Sequence, residues 1–179
     1  MGLNEILSGR RSIRRYKAGT EVDPALIREM LEAAVWAPSW KNSQTSRYYV
    51  VTSREMLEKV KTSCLPEFNQ KNCKDAPVLI VTAFVKNHSG HDSQGCPVNE
   101  LGNGWGAYDL VLHDANLILK ARELGLDTLI MGIRDADALR EILGIDGDQE
   151  VVSVIAVGYR DIDPAMPARK SVEEIARFY

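Results

Sequence analysis

Residues 76–85 read APVLIVTAFV, and Thr82 carries the only side chain in the run that can hydrogen-bond. A half-exposed strand alternates apolar and polar residues, whereas a run without alternation has to be covered on both faces. The stretch VVSVIAVG at 151–158 has the same character, and Thr128 to Ile133 and Tyr48 to Thr52 read as further strands. Such strands need helices above and below them. Leu26, Ile27, Met30, Leu31, Ala34 and Val35 recur at helical spacing between Pro24 and about Ala37. Asp23 is the N-cap of that helix, Pro24 takes its first position, and Pro38 stops it. A short helix is expected at the start of the chain, with others at Arg54 to about Thr62 behind Ser53 and at about Ala107 to Leu124. One more follows Asp135, and a short one follows Ser171, where Glu174 completes a capping-box pattern. Strands alternating with helices define an α/β or α+β layering around a central sheet.

No repeat or low-complexity linker divides the chain, so a single domain over residues 1–179 is expected. A net charge of −3 and a pI near 5.7 argue against general nucleic-acid affinity. No apolar run is long enough to span a bilayer, and no signal core leads the chain, so a cytoplasmic protein without membrane partners is expected. Cys64, Cys73 and Cys96 are odd in number and form no CxxC pair, which fits reduced thiols better than a disulfide frame or a zinc site.

Two basic segments are candidate anion sites. In GRRSIRRY, Arg10, Arg11, Arg14 and Arg15 surround Ser12. Guanidinium forks and a hydroxyl suit phosphate oxygens, although a four-arginine run taken alone reads first as a solvated basic turn. Near the other end, Arg169 and Lys170 stand just ahead of the capped helix. A docked charged tail explains that pair as well as an anion site does.

The connector WAPSWKNSQTS, Trp36 to Ser46, is more polar than a turn requires. It sets Ser39, Asn42, Ser43, Gln44, Thr45 and Ser46 around Trp40. The combination of RRSIR, WAPSWKNSQ and GY…PARKSVEEI resembles the FMN-dependent nitroreductase family, in this relative placement and over essentially the whole chain. FNQKNCKDAPVLIV and ELGLDTLIMG support the likeness.

That resemblance implies an α+β nitroreductase-like fold, with a central, mostly antiparallel sheet flanked by helices, in an intertwined homodimer. It implies FMN as cofactor and NADH or NADPH as hydride donor to a small acceptor such as a nitroaromatic or a quinone. By the same likeness Arg10, Ser12 and the Arg169–Lys170 pair hold the phosphate, with Arg11 in the same basic cluster. Arg14 takes the basic position at the pyrimidine edge, Asn69 reaches that edge, and Met131 and Gly132 form the backbone beside flavin N5. Pro38, Ser39, Trp40, Asn42 and Gln44 come to the flavin from the neighbouring subunit. No catalytic acid is identified, because the flavin carries the chemistry.

The chain departs from the family at Trp40 and Lys41, where many relatives have small residues, and at Asn72, where some carry a second cation. Trp40 either narrows the substrate cleft or packs against the dimer partner. Residues 87–106 form a long loop rich in Gly, Asn, Ser and His, and a metal site at His88 and His91 is not expected there. Trp105 and Tyr108 are placed as cleft wall, interface or core, and His113 as a packed or surface residue. Other readings of the whole chain are a flavin carrier or sensor without turnover, a reductive dehalogenase or flavin-destroying relative, and a phosphate-ligand regulator without flavin.

Overall fold

The computed structural model describes residues 2–179. The order of elements is α1 (Leu3–Gly9), α2 (Pro24–Val35), β1 (Ser46–Val51), α3 (Arg54–Cys64), α4 (Glu67–Asn72) and β2 (Val78–Val85). Then follow α5 (Gly104–Glu123), β3 (Asp127–Met131), α6 (Ala136–Leu143), β4 (Gln149–Gly158) and α7 (Val172–Ile175). The four strands form one sheet in the order β1-β2-β4-β3, with every neighbouring pair antiparallel. This is the α+β architecture expected from the family likeness.

The apolar run of β2 is covered on both faces, as its lack of alternation requires. Leu79, Val81 and Ala83 join one core, with Val60 of α3, Leu139 of α6, Ile13 and Tyr16. Val78 and Ile80 join the other, with Met30 of α2 and Leu117 of α5. β4 divides in the same way, sending Val154 and Ala156 to the first core and Ile155 and Val157 to the second. Each fully buried aliphatic side chain in these layers contributes about 1.5–3 kcal/mol. Thr82 finds its partner within the sheet, since its Oγ1 lies 2.9 Å from Ser153 Oγ.

The expected caps are present. Asp23 accepts from the Ala25 N–H at 2.8 Å, Ser53 from Met56 at 3.3 Å and Asp135 from Ala138 at 3.0 Å. Helix α5 starts at Gly104, three residues earlier than the sequence pattern suggests, and α2 ends at Val35. The order of strands places β1 and β3 at opposite edges of the sheet. No helix among the described residues is long and apolar enough to cross a membrane.

Candidate functional site

The basic N-terminal segment lies along the open edge of β3. Ile13 is fully buried and donates its N–H to the Thr128 carbonyl at 3.0 Å, and Ser12 bridges Thr128 in parallel. Burial of Ile13 therefore fixes the residues on either side. Ser12 and Arg14 remain exposed, and Arg10 is half-buried, its guanidinium making no hydrogen bond or ion pair among the described residues. Arg14 reaches only the Ser12 carbonyl, at 3.5 Å. The other two arginines are committed elsewhere. Arg11 turns back onto the carbonyls of Ser8 and Arg10, at 2.6 and 2.8 Å, and Arg15 pairs with Asp161 at 3.4 Å. Arg10, Ser12 and Arg14 thus form an uncompensated donor set, while Arg11 braces the segment.

Met131, Gly132 and Ile133 continue from the other end of β3. Met131 is buried, whereas Gly132 and Ile133 are exposed, and a Cβ added at Gly132 would meet nothing within 4 Å. Buried Asn69, midway along α4, donates from Nδ2 to the Ile133 carbonyl at 2.9 Å. The sequence places Asn69 at this locus, and the structure shows that one of its donors is already engaged with backbone. Thr128 and Ile133 are five residues apart, about 17 Å in an extended strand. The donor set and the Asn69 amide are therefore strung along one strand.

Arg169 and Lys170 are exposed, and Arg169 bonds only to the nearby carbonyls of Pro167 and Ala168, at 3.2 Å each. Among the described residues no hydrogen bond joins either of them to Arg10, Ser12 or Arg14. Helix α7 is a single turn whose Ser171 N–H is taken by Glu174 at 2.7 Å. Its dipole adds little to the cationic pair.

The connector after α2 forms a separate half. Trp40–Asn42 is a short 3₁₀ turn; Ser39 Oγ accepts the Gln44 N–H at 3.1 Å. The Trp40 ring packs on Trp105 with centroids 4.8 Å apart, and Trp105 meets Tyr108 at 5.6 Å. Asn42, Gln44 and Pro38 are exposed and Ser39 half-buried, so the polar groups assigned to the flavin face outward. This half precedes β1, at the edge of the sheet opposite β3, roughly 14 Å away over three strand spacings. One chain does not bring the two halves together.

Sequence reasoning missed a buried polar group beneath the turn. Ser89 and Asp109 lie there, with Asp109 accepting the Trp40 N–H at 2.9 Å. His113 is buried on the same helix, its Nδ1 2.8 Å from the Asp109 carbonyl. Asp109 one turn before His113, both on the face that carries Leu110 and Leu117, is the sequence signal that could have found this partnered polar patch.

The layered sheet with a basic segment along one edge is the nitroreductase fold. A protein of Exiguobacterium sibiricum 255-15, provisionally described as a nitroreductase and solved in complex with FMN, superposes with a TM-score of 0.87 at 23% identity, over 100% of this chain and 98% of its own. A nitroreductase family protein of Streptococcus pneumoniae TIGR4 gives 0.85 at 21% identity, over 99% and 100%. Residues 7–159 match the profile of the nitroreductase family, and the chain belongs to it. It is 31% identical over 170 residues to a Methanothermobacter thermautotrophicus protein provisionally named NADH dehydrogenase/NAD(P)H nitroreductase, covering 92% of this chain and 80% of the relative.

Proposed function

We propose that the protein is an FMN-dependent oxidoreductase, one domain over residues 1–179, that takes a hydride from NADH or NADPH. It reduces a small acceptor of the nitroaromatic or quinone type, in the cytoplasm, as a homodimer with shared sites. The observation that carries the reading is the donor set on the β3 edge. Among the described residues Arg10, Ser12 and Arg14 have no acidic partner, and the strand beside them runs to the open backbone at Gly132. A phosphate needs such uncompensated donors, and a flat ring needs backbone without a side chain in the way. The residues present fit FMN.

In this reading Arg10 and Ser12 hold the phosphate, joined by Arg169 and Lys170. Arg14 sets a positive charge at the pyrimidine edge, which favours the reduced, more anionic cofactor. Asn69 is held in one orientation by its bond to Ile133, so its remaining polar groups are presented in a fixed direction. Met131 and Gly132 lie beside the ring. Bound there, FMN supplies the hydride and electron chemistry, and the chain supplies position and charge. Nicotinamide and acceptor use one cleft in turn, which gives ping-pong kinetics.

The separation of the two halves supports the dimer. Pro38, Ser39, Trp40, Asn42 and Gln44 reach such a site only from a second copy, since in one chain they sit at the far edge of the sheet. Apolar surface for a partner is at hand. Val35 and Trp36 at the end of α2 are 69% and 86% exposed, and Tyr108 and Val111 on α5 are each 58% exposed. Exposed apolar surface of this kind marks an interaction face. The deciding experiment is the visible spectrum of the purified protein with FMN before and after anaerobic addition of NADH or NADPH. Bleaching of the oxidised band is expected, and a flavin-loaded protein that neither nicotinamide reduces would overturn the reading.

A further inference from the structure

The turn after α2 is held in a backbone shape that its residues do not favour. Lys41, Asn42 and Gln44 have φ of 47°, 56° and 50°. The left-handed region is disfavoured for side chains with a Cβ, and three such residues within four positions persist only where the surroundings enforce them. Those surroundings are a directed hydrogen-bond chain. Asp109 Oδ2 accepts the Trp40 N–H at 2.9 Å and the Ser89 hydroxyl at 2.6 Å. A carboxylate accepting both leaves Ser89 without a further hydrogen to give. Ser43 and Thr45, whose hydroxyls lie 2.7 and 3.3 Å from Ser89 Oγ, must therefore donate to it. The chain runs one way, from both ends of the turn to one buried carboxylate, and aligned bonds of this kind reinforce each other.

The loop carrying Ser89 is fitted to the same task. Gly90 has a φ of +77°, and a Cβ there would meet Trp105 Cδ1 at 2.4 Å. Only glycine lets Trp105 sit close enough to support the Trp40 ring. The 87–106 segment thereby acts as a buttress for the turn.

We propose that Asp109 and Ser89 are positioning residues that hold the 38–44 turn in the shape in which Ser39, Trp40, Asn42 and Gln44 are presented to the flavin of the neighbouring copy. The presentation rests on the FMN reading; the holding of the turn does not. Two readouts separate them. In flavin-free full-length protein, trypsin cleavage after Lys41 reports the order of the turn, with cleavage after Lys71 as the internal reference. Asp109→Ala removes the acceptor of both bonds and Ser89→Ala removes one of its donors, so each should speed cleavage after Lys41 about tenfold, leaving Lys71 unchanged. The Kd for FMN, read by flavin fluorescence, should rise by a similar factor. Unchanged cleavage after Lys41, or equal acceleration at Lys41 and Lys71, overturns the hub. Faster cleavage after Lys41 with an unchanged Kd overturns the presentation. A wild-type protein that binds no FMN defeats the cofactor reading, and the cleavage result still judges the hub.

Discussion

Asp127 and Arg160 meet through two parallel bonds, Nε to Oδ2 at 2.7 Å and Nη2 to Oδ1 at 2.6 Å. Asp127 opens β3, its backbone pairs with Gly158 at the end of β4, and its side chain is 1% exposed. Arg122 of α5 adds a third contact at 3.6 Å. The pair thus fastens the edge strand along which the proposed cofactor donors lie.

Removing Asp127 leaves the Arg160 guanidinium an exposed carboxylate as its acidic contact, and breaking a buried pair costs several kcal/mol. Asp127→Ala should lower unfolding free energy by about 3 kcal/mol, read from urea denaturation. Asp163 also contacts Arg160, at 2.6 Å, but its side chain is 87% exposed. Asp163→Ala should change stability by less than about 1 kcal/mol, because water screens the exposed carboxylate. Equal costs for the two variants would contradict the assignment of the anchor to Asp127.

A second buried acid makes stability depend on pH. Asp114 on α5 is pushed up to about 6 by burial, with the 3.0 Å hydrogen bond from Tyr48 working in the opposite direction. The folded chain keeps a proton that the unfolded chain has already released, so stability falls as pH rises from about 4 to 6 and is level above that. The gap of about two pK units corresponds to roughly 3 kcal/mol. Asp114→Asn should abolish this part of the decline. Urea midpoints for wild type and variant, measured across that range, should diverge as pH rises; parallel curves would show that Asp114 does not titrate there.

The proposed phosphate and pyrimidine contacts are separable from folding. Arg10 and Arg14 make no ion pair among the described residues, and Arg14 bonds only to a neighbouring carbonyl. Arg10→Ala/Arg14→Ala should therefore leave the melting temperature of the flavin-free protein nearly unchanged. Each charge-assisted contact is worth about 1.5–3 kcal/mol, so FMN affinity should fall at least about a hundredfold in the double variant. Unchanged affinity, measured by flavin fluorescence, would remove both residues from the site.

What the sequence disclosed depended on how local each signal is. The apolar run at 76–85 required two covered faces, and the division of β2 between two cores meets that requirement. It did not disclose strand direction, because faces and neighbours are independent properties of a strand. Helix α4 is six residues long, too short for a periodic signal. The basic segment and Asn69 were legible through a family pattern, yet their alignment on β3 rests on the Ser12–Thr128 and Asn69–Ile133 contacts between distant parts of the chain. The polar surplus of WAPSWKNSQTS was visible, but its inward half was not. Ser43 and Thr45 meet Ser89, and Trp40 meets Asp109, across 44 to 69 residues of sequence.

The same contacts bear on Trp40, which the sequence left as either a gate on the cleft or a fastener of the dimer. Its indole lies against Trp105 of its own chain, and its Nε1 is buried without a hydrogen-bond partner among the described residues. Much of the ring is already covered, leaving less area for a second copy than Trp36 offers at 86% exposure. Trp40→Ala retains the backbone bond to Asp109 and takes away only the ring. It should leave sedimentation unchanged and alter the ratio of kcat/KM between a bulky and a compact acceptor. Trp36→Ala should do the reverse, weakening the dimer through lost apolar contact area at about 25 cal/mol per Å². Dissociation of Trp40→Ala with unchanged acceptor preference would make Trp40 the fastener and refute the gate.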